Sequence, residues 1–305
     1  MSWDMSRRSV LGAAGAAVAT AGASMALSSC SRDGSAVSQN AEESFIETAR
    51  APQRNPLRGT LLFHDTFDDG FNGWRDHYNG RGPATALSLT SYPVFSGSHA
   101  LMIGCSAAPD EGYADGWAPA TASAFKNLSR YYDARLVTFS CYIAHGSDES
   151  TASLGGFSLM IDTQAWDNSR RSFFRLQISR KATGESRKLS ISDNDQKWQD
   201  VYTGADLVAG DNENKFNFDW LSLTVDLDAN DGAGGYHSCQ VNSRTFDLTN
   251  SGGGSANHNP QRGGAMASFA GGLNFGVAAY PGPPGSGESF IVVDQAVASV
   301  NEEAG

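Results

Sequence analysis

"WLSLTVDLDANDGAGGYHSCQVNSRTF", residues 220–246, decides the fold class. Leu221, Leu223, Val225 and Leu227 occupy alternate positions, with Ser222, Thr224 and Asp226 between them. A period of two puts alternate side chains on opposite faces of an extended chain, so this is a strand with one apolar face. Asp, Asn and Gly then break the pattern over 228–235, and a second run at 236–241 ends in the small polar bend Val241-Asn242-Ser243. Two such runs joined by turn-forming residues make a β-hairpin. "DLDANDG" at 226–232 has its glycine one place late for a calcium loop and His237 at the twelfth position, so it reads as the hairpin turn.

The same pattern extends in both directions. Strands are expected at 60–65, 85–91, 99–105, 135–144, 155–163, 172–180, 188–192, 219–227, 236–241, 272–280 and 289–300, and no long segment has a 3.6-residue period. In "LVTFSCYIA", Val137, Phe139, Cys141 and Ile143 share one side, with Ser140 and Tyr142 on the other. In "RSFFRLQIS", Phe174, Leu176 and Ile178 face in, while Arg171, Phe173, Arg175 and Gln177 face out. In "LNFGVAAY", Leu273, Phe275, Val277 and Ala279 face in, with Asn274, Gly276 and Tyr280 opposite. One packed and one wet face per strand describes an all-β, antiparallel two-sheet β-sandwich. It spans 57–300 as one domain, with a tail at 301–305. "TNSGGGSANHNPQRGG" at 249–264 reads as a long flexible loop within it.

Three motifs carry a resemblance. "LLFHDTFDDGFNGW" (61–74) is similar to the first strand and turn of many secreted jelly-roll domains. The 220–246 hairpin resembles that of laminin G-like and concanavalin A-like domains. "SFIVVDQAVASV" (289–300) resembles their closing strand, with Asp294 in mid-strand. The resemblance implies a concanavalin A-like jelly roll. That fold hosts lectins, glycosidases, lyases and adhesion modules, so it does not choose among them.

The N-terminus speaks to location. "SRRSVLGAAGAAVATAGASMALSSC" (6–30) opens on Arg7-Arg8, continues as an uncharged run of mostly Ala, Gly, Ser and Thr, and ends Leu27-Ser28-Ser29-Cys30. A run this poor in large aliphatics inserts badly as a membrane helix but suits an export signal. Arg7 and Arg8 resemble a twin-arginine signal, and Leu27 to Cys30 resembles a bacterial lipobox, which implies cleavage after residue 29 and lipidation of Cys30. A plain signal peptide with an incidental cysteine is the competing reading. Residues 30–56 are polar and read as a flexible tether. The expected place of work is the outer face of the bacterial cell membrane, reached by the twin-arginine route.

Charge narrows the partners. The chain carries a formal net charge of −11, and removal of residues 1–29, with Asp4, Arg7 and Arg8, leaves it one charge more negative. Such a balance disfavours nucleic acid. After Cys30, Cys105, Cys141 and Cys239 remain, each in a strand. They can form at most one bridge, or pack as buried thiols.

Candidate chemistry follows from side chains on the wet faces and in loops. A Glu-x-Asp-x-x-Glu strand motif of jelly-roll glucanases is absent, and Glu111, Glu149, Glu185, Glu213 and Glu288 all sit in turn-like contexts, which speaks against a retaining glycosidase. Sugar rings stack on aromatic faces while Arg and amide groups bind hydroxyls. Trp117, Trp166, Arg175, Gln177, Tyr142 and Tyr280 are therefore the candidate carbohydrate-binding residues, for a glycan or cell-envelope polysaccharide. A lyase acting on a uronic-acid glycan is the alternative: Arg171, Arg175 and Gln177 would neutralise the carboxylate and Tyr142 or Tyr280 would move the proton. A structural envelope lipoprotein is the third. No catalytic residue is assigned. A structural calcium ion is a further expectation, held by Asp65, Asp68, Asp69 and Asp294 where the two ends of the domain pair. Asp-Asp-Gly as a simple turn is the competing reading.

Overall fold

A computed structural model describes residues 59–76, 86–105, 122–128, 134–147, 154–164, 171–180, 187–192, 198–204, 207, 216–229, 234–249, 261–263, 272–281 and 289–301 of the 305. In chain order the strands are β1 (Thr60–Asp65), β2 (Arg75–Asp76), β3 (Ala86–Thr90), β4 (Ala100–Cys105), β5 (Ala122–Leu128), β6 (Leu136–Ser147), β7 (Leu154–Gln164) and β8 (Arg171–Arg180). There follow β9 (Arg187–Ser192), β10 (Trp198–Gly204), β11 (Asp219–Asp226), β12 (Gly235–Val241), β13 (Arg244–Asp247), β14 (Gln261–Gly263), β15 (Gly272–Pro281) and β16 (Ser289–Val300). Among the described residues no helix is long and apolar enough to cross a membrane.

The strands form two eight-stranded antiparallel sheets. Sheet A runs β13-β12-β11-β6-β16-β4-β3, with β1 added along β16. Sheet B runs β10-β9-β8-β7-β15-β5-β2, with β14 added along β8. This is an antiparallel two-sheet β-sandwich, the fold class read from the alternation. The core lies between the sheets and is built from the apolar faces read in the sequence. Phe139, Leu221 and Leu223 of sheet A are fully buried, as are Leu159, Phe174, Leu176 and Phe275 of sheet B. Phe63, Phe139 and Phe275 meet at ring separations of 5.3–6.4 Å in tilted and edge-on arrangements. Each such side chain stabilises the fold by about 1.5–3 kcal/mol through its burial.

Asn242 shows how one residue closes the deciding hairpin. Val241 pairs with Arg244, so Asn242 and Ser243 form a two-residue turn, and Asn242 adopts φ 53°. Asn tolerates this left-handed conformation better than other non-glycine residues. Its side chain also accepts the backbone N–H of Trp220 (3.0 Å) and donates to Asp219 (2.7 Å), stitching the turn to the start of β11.

Five strands were not expected: β2, β5, β10, β13 and β14. β5 reads ASAFKNL, and its core contribution is Ala122 and Ala124, too small to signal an apolar face. β10 is a polar edge strand that continues sheet B past β9. β14 lies inside the stretch expected to be a flexible loop, and pairs with β8 through Gln261↔Phe173 and Gly263↔Arg171. The expectation of wet outer faces also needs correction. Ser140, Ser158, Ser190 and Asp162 point away from the core yet are buried. Cys141 and Cys239 are buried free thiols. Burial pushes both well above the ordinary thiol value.

Candidate functional site

The outer face of sheet B is assembled by register. Gln177 on β8 pairs with Ser158 on β7 and Ser190 on β9; Ser158 pairs with Ala278 on β15, and Ala278 with Ser123 on β5. Side chains directly opposite on neighbouring strands share one face, so these five form a row across the sheet at about 4.8 Å per strand. Apart from Gln177, every member is small. Ser123, Ser158 and Ser190 are buried, which sets this row below the larger side chains beside it.

The flanking row is Phe125, Gly276, Met160 and Arg175. Gly276 has a steric reason: a Cβ there would stand 3.0 Å from the Phe125 ring and 3.2 Å from the Met160 methyl. The phenyl ring and the thioether therefore close over the bare backbone of β15. On the other side stands Tyr280, whose hydroxyl is 3.0 Å from Ser158 Oγ. Burial raises the Tyr280 phenol above its ordinary value, opposed by the nearby positive charge of Arg175. The row is thus the floor of a trough with Arg175 of β8 on one side, Tyr280 of β15 on the other, and Gln177 of β8 within it.

Two ion pairs next to the trough, Arg171–Asp162 and Lys188–Asp200, tie the strands together. Arg171 donates from Nε (3.0 Å) and Nη2 (2.7 Å) to the two oxygens of buried Asp162, and Asn274 adds a bond of 3.1 Å. The bidentate bond to Asp162 holds the Arg171 guanidinium above its ordinary value. At the β9–β10 edge, Asp200 is paired with Lys188 and lies 3.0 Å from Ser190 Oγ, and Lys188 holds its carboxyl below the usual value. Arg171 is thus the ion-pair partner of Asp162.

Tyr142 does not join this site. It sits on β6 in sheet A, where Phe95 stacks flat on it at 3.6 Å and Trp220 tilts against it at 4.8 Å. Alternation correctly put it on an outer face, but of the other sheet, which strand periodicity cannot distinguish. Trp117 and Trp166 lie outside the described residues. So do Cys30, Arg7 and Arg8, together with the tether. Phe125, Met160 and Ser158 escaped the sequence reading. Gly276, an isolated glycine inside a strand, was the available signal for a close approach at this spot.

The four aspartates expected to share a calcium ion are placed by different partners. Asp65 accepts from Trp74 Nε1 (2.8 Å) and from Lys126 Nζ (2.6 Å). Asp68 accepts from Ser98 N, Ser98 Oγ and His99 N at 2.6–3.0 Å, bonds that lower its pKa. Asp294 is fully buried and takes the amides of Phe95 (2.9 Å), Ser96 (3.1 Å) and Gln295 (2.7 Å). Desolvation nevertheless raises its pKa, and the negative charge of Asp68 adds to the rise. Asp69 is exposed in the turn. Backbone amides and Lys126 are thus partners of the other three carboxylates among the described residues. Among the described residues no group of three or more His, Cys, Asp and Glu is placed to hold a metal.

No family model and no curated protein matches the sequence. Among solved structures the chain is similar to "Cellulose induced protein, Cip1" (11% identity, 78% of this chain and 96% of that one, TM-score 0.44). It is similar to an endo-beta-1,4-glucuronan lyase from the fungus Trichoderma reesei (10%, 75% and 94%, 0.40). A third likeness is to a xylan-binding domain from CBM 22 (12%, 82% and 99%, 0.34). Likenesses this loose decide nothing about activity.

Proposed function

We propose that this protein is an exported, lipid-anchored lipoprotein that binds a glycan in the trough on the outer face of sheet B. The observation that carries the reading is the row across five adjacent strands, small except at Gln177 and bordered by Arg175 and the Phe125 ring on one side and Tyr280 on the other. A trough across the strands fits an extended chain. The guanidinium suits an acidic sugar, the amide and phenol suit hydroxyls, and the phenyl ring offers a stacking surface. Uronic-acid glycans supply the carboxylate that Arg175 would meet. Arg175→Ala is expected to weaken binding of oligogalacturonate at least tenfold in titration calorimetry with the melting temperature nearly unchanged, since partly exposed strand positions cost little stability. Unchanged affinity in that variant would sink the assignment of this face. The anchor is tested separately: Cys30→Ser is expected to move the protein from the membrane to the soluble fraction, and Arg7→Lys with Arg8→Lys to block export.

A second reading, a polysaccharide lyase, is favoured by the presence of Tyr280 and Arg175 on the same outer face, on opposite sides of the small-residue row. In β-elimination a base removes the proton at C5 of the uronate, the C4–O bond breaks as a C4=C5 double bond forms, and the departing oxygen takes a proton. Arg175 would stabilise the charge gathering on the carboxylate, and Tyr280 would carry the proton. Ultraviolet absorbance from the unsaturated product, lost in Tyr280→Phe, would select this reading over binding alone.

A further inference from the structure

Arg175 lies at a break in its own sheet. Along β8 the pairing with β9 runs from Arg180↔Arg187 to Leu176↔Ile191, and the pairing with β14 covers Arg171 to Phe173. The register would next set Arg175 against Ser192. A side chain from the opposite sheet occupies that place. Tyr236, on β12 of sheet A, crosses the core with its ring edge-on to Phe174 at 5.3 Å. Its hydroxyl accepts the backbone N–H of Arg175 (2.9 Å) and donates to the carbonyl of Ser192 (2.8 Å). The carbonyl of Arg175 (3.3 Å) and Ser192 Oγ (3.2 Å) are also within reach.

The approach of β12 is enabled by Gly234. It adopts φ 83°, and a Cβ there would lie 2.8 Å from the Phe174 ring, so any larger residue would push the start of β12 away. Buried backbone groups require partners. One phenolic oxygen supplies them at the point where β8 exchanges β9 for β14. The side chain of Arg175 leaves the same residue toward the trough, so its backbone is held by a side chain rooted in the opposite sheet.

We infer that Tyr236 is a positioning residue for Arg175: its hydroxyl fixes the strand at the trough and so sets the affinity and selectivity for acidic glycans. This rests on the trough being the ligand face. The test is a double-mutant cycle in the mature protein, with oligogalacturonate as the acidic probe. Arg175→Ala is expected to weaken binding at least tenfold, Tyr236→Phe about fivefold, and the double variant no more than Arg175→Ala alone. A residue that merely stabilised the fold would lower the melting temperature and add to the effect of Arg175→Ala. If Arg175→Ala weakens binding but Tyr236→Phe does not, or if the two effects add, the inference fails and the glycan reading stands. If Arg175→Ala has no effect, both fail. Native-state hydrogen exchange reads the premise directly in the wild-type chain. The Arg175 amide is expected to exchange as slowly as that of Gln177, and exchange at the rate of an exposed loop would overturn the inference even if Tyr236→Phe does not fold.

Discussion

The two outer faces of the sandwich start from the same kind of sequence and end differently. Both carry small polar residues alternating with the core positions. On sheet A those residues answer one another: Ser140 donates to Ser222 at 2.8 Å and Thr138 meets Thr224 at 3.0 Å. Farther along, the loop at 91–98 lays Phe95 over Tyr142, and buried Asp294 holds that loop by its amides. Sheet A has thus covered its outer face with its own chain. On sheet B the row through Ser123, Ala278, Ser158 and Gln177 is bordered by Arg175, Tyr280 and Phe125. A polar strand face is evidence of binding only when its neighbours differ from itself in size and charge.

The largest expected effect tests the covering of sheet A. Asp294→Ala removes a buried carboxylate and leaves three partly buried amides without their acceptor, so it should destabilise by about 3 kcal/mol in denaturant titration while leaving oligogalacturonate binding intact. Lost binding without lost stability would mean that the two faces are not independent.

Gly276→Val addresses the other side of the comparison. The added carbons would meet the Phe125 ring and the Met160 methyl, both ends of movable side chains, so they should yield into the trough rather than break the sheet. Affinity is expected to fall about a hundredfold, roughly 2.7 kcal/mol, with a small change in melting temperature. Full affinity in this variant would place the ligand elsewhere.

Alkaline titration reports on what the core keeps neutral. Tyr236 is pushed up to about 12 from its ordinary 10.0 by burial, and Cys141 and Cys239 are raised above their ordinary 9.0. Each is an acid that ionises in the unfolded chain before it does so in the folded one. The unfolded state therefore binds fewer protons, and stability falls as pH rises above about 9, by up to about 1.4 kcal/mol per pH unit for each group. Cys239→Ala should make the fall shallower in chemical denaturation across pH 8–11, about the interval those values define. An unchanged slope would deny Cys239 its part.

The smallest effect is on the paired hydroxyls. Ser222→Ala should cost about 1 kcal/mol, and Ser140→Ala with Ser222→Ala should recover much of it, because removing both partners leaves no unmet group. Binding should not change in either.

Alternation settled the two-sheet class and the inward faces of β6, β8, β11 and β15, because a side chain's face depends only on its place along an extended strand. It put Arg175, Gln177, Gly276 and Tyr280 on outward faces. The sequence also marked Asn242 as a turn residue. It could not assign a strand to a sheet, so Tyr142 was grouped with Tyr280 although the core separates them. Nor could it find β5, whose alanines bury too little to leave a periodic trace, and with β5 it missed Phe125. It treated Asp65, Asp68 and Asp294 as alike, because a carboxylate's partners come from distant segments: Lys126 for the first, the 98–99 amides for the second, the 95–96 amides for the third. Tyr236 was marked only as the start of the strand expected at 236–241, and the stacking of one sheet on the other brought its hydroxyl to the backbone of Arg175. Local periodicity fixes which way a side chain points; what it meets is decided by which strands the fold makes neighbours, and that depends on contacts far apart in the chain.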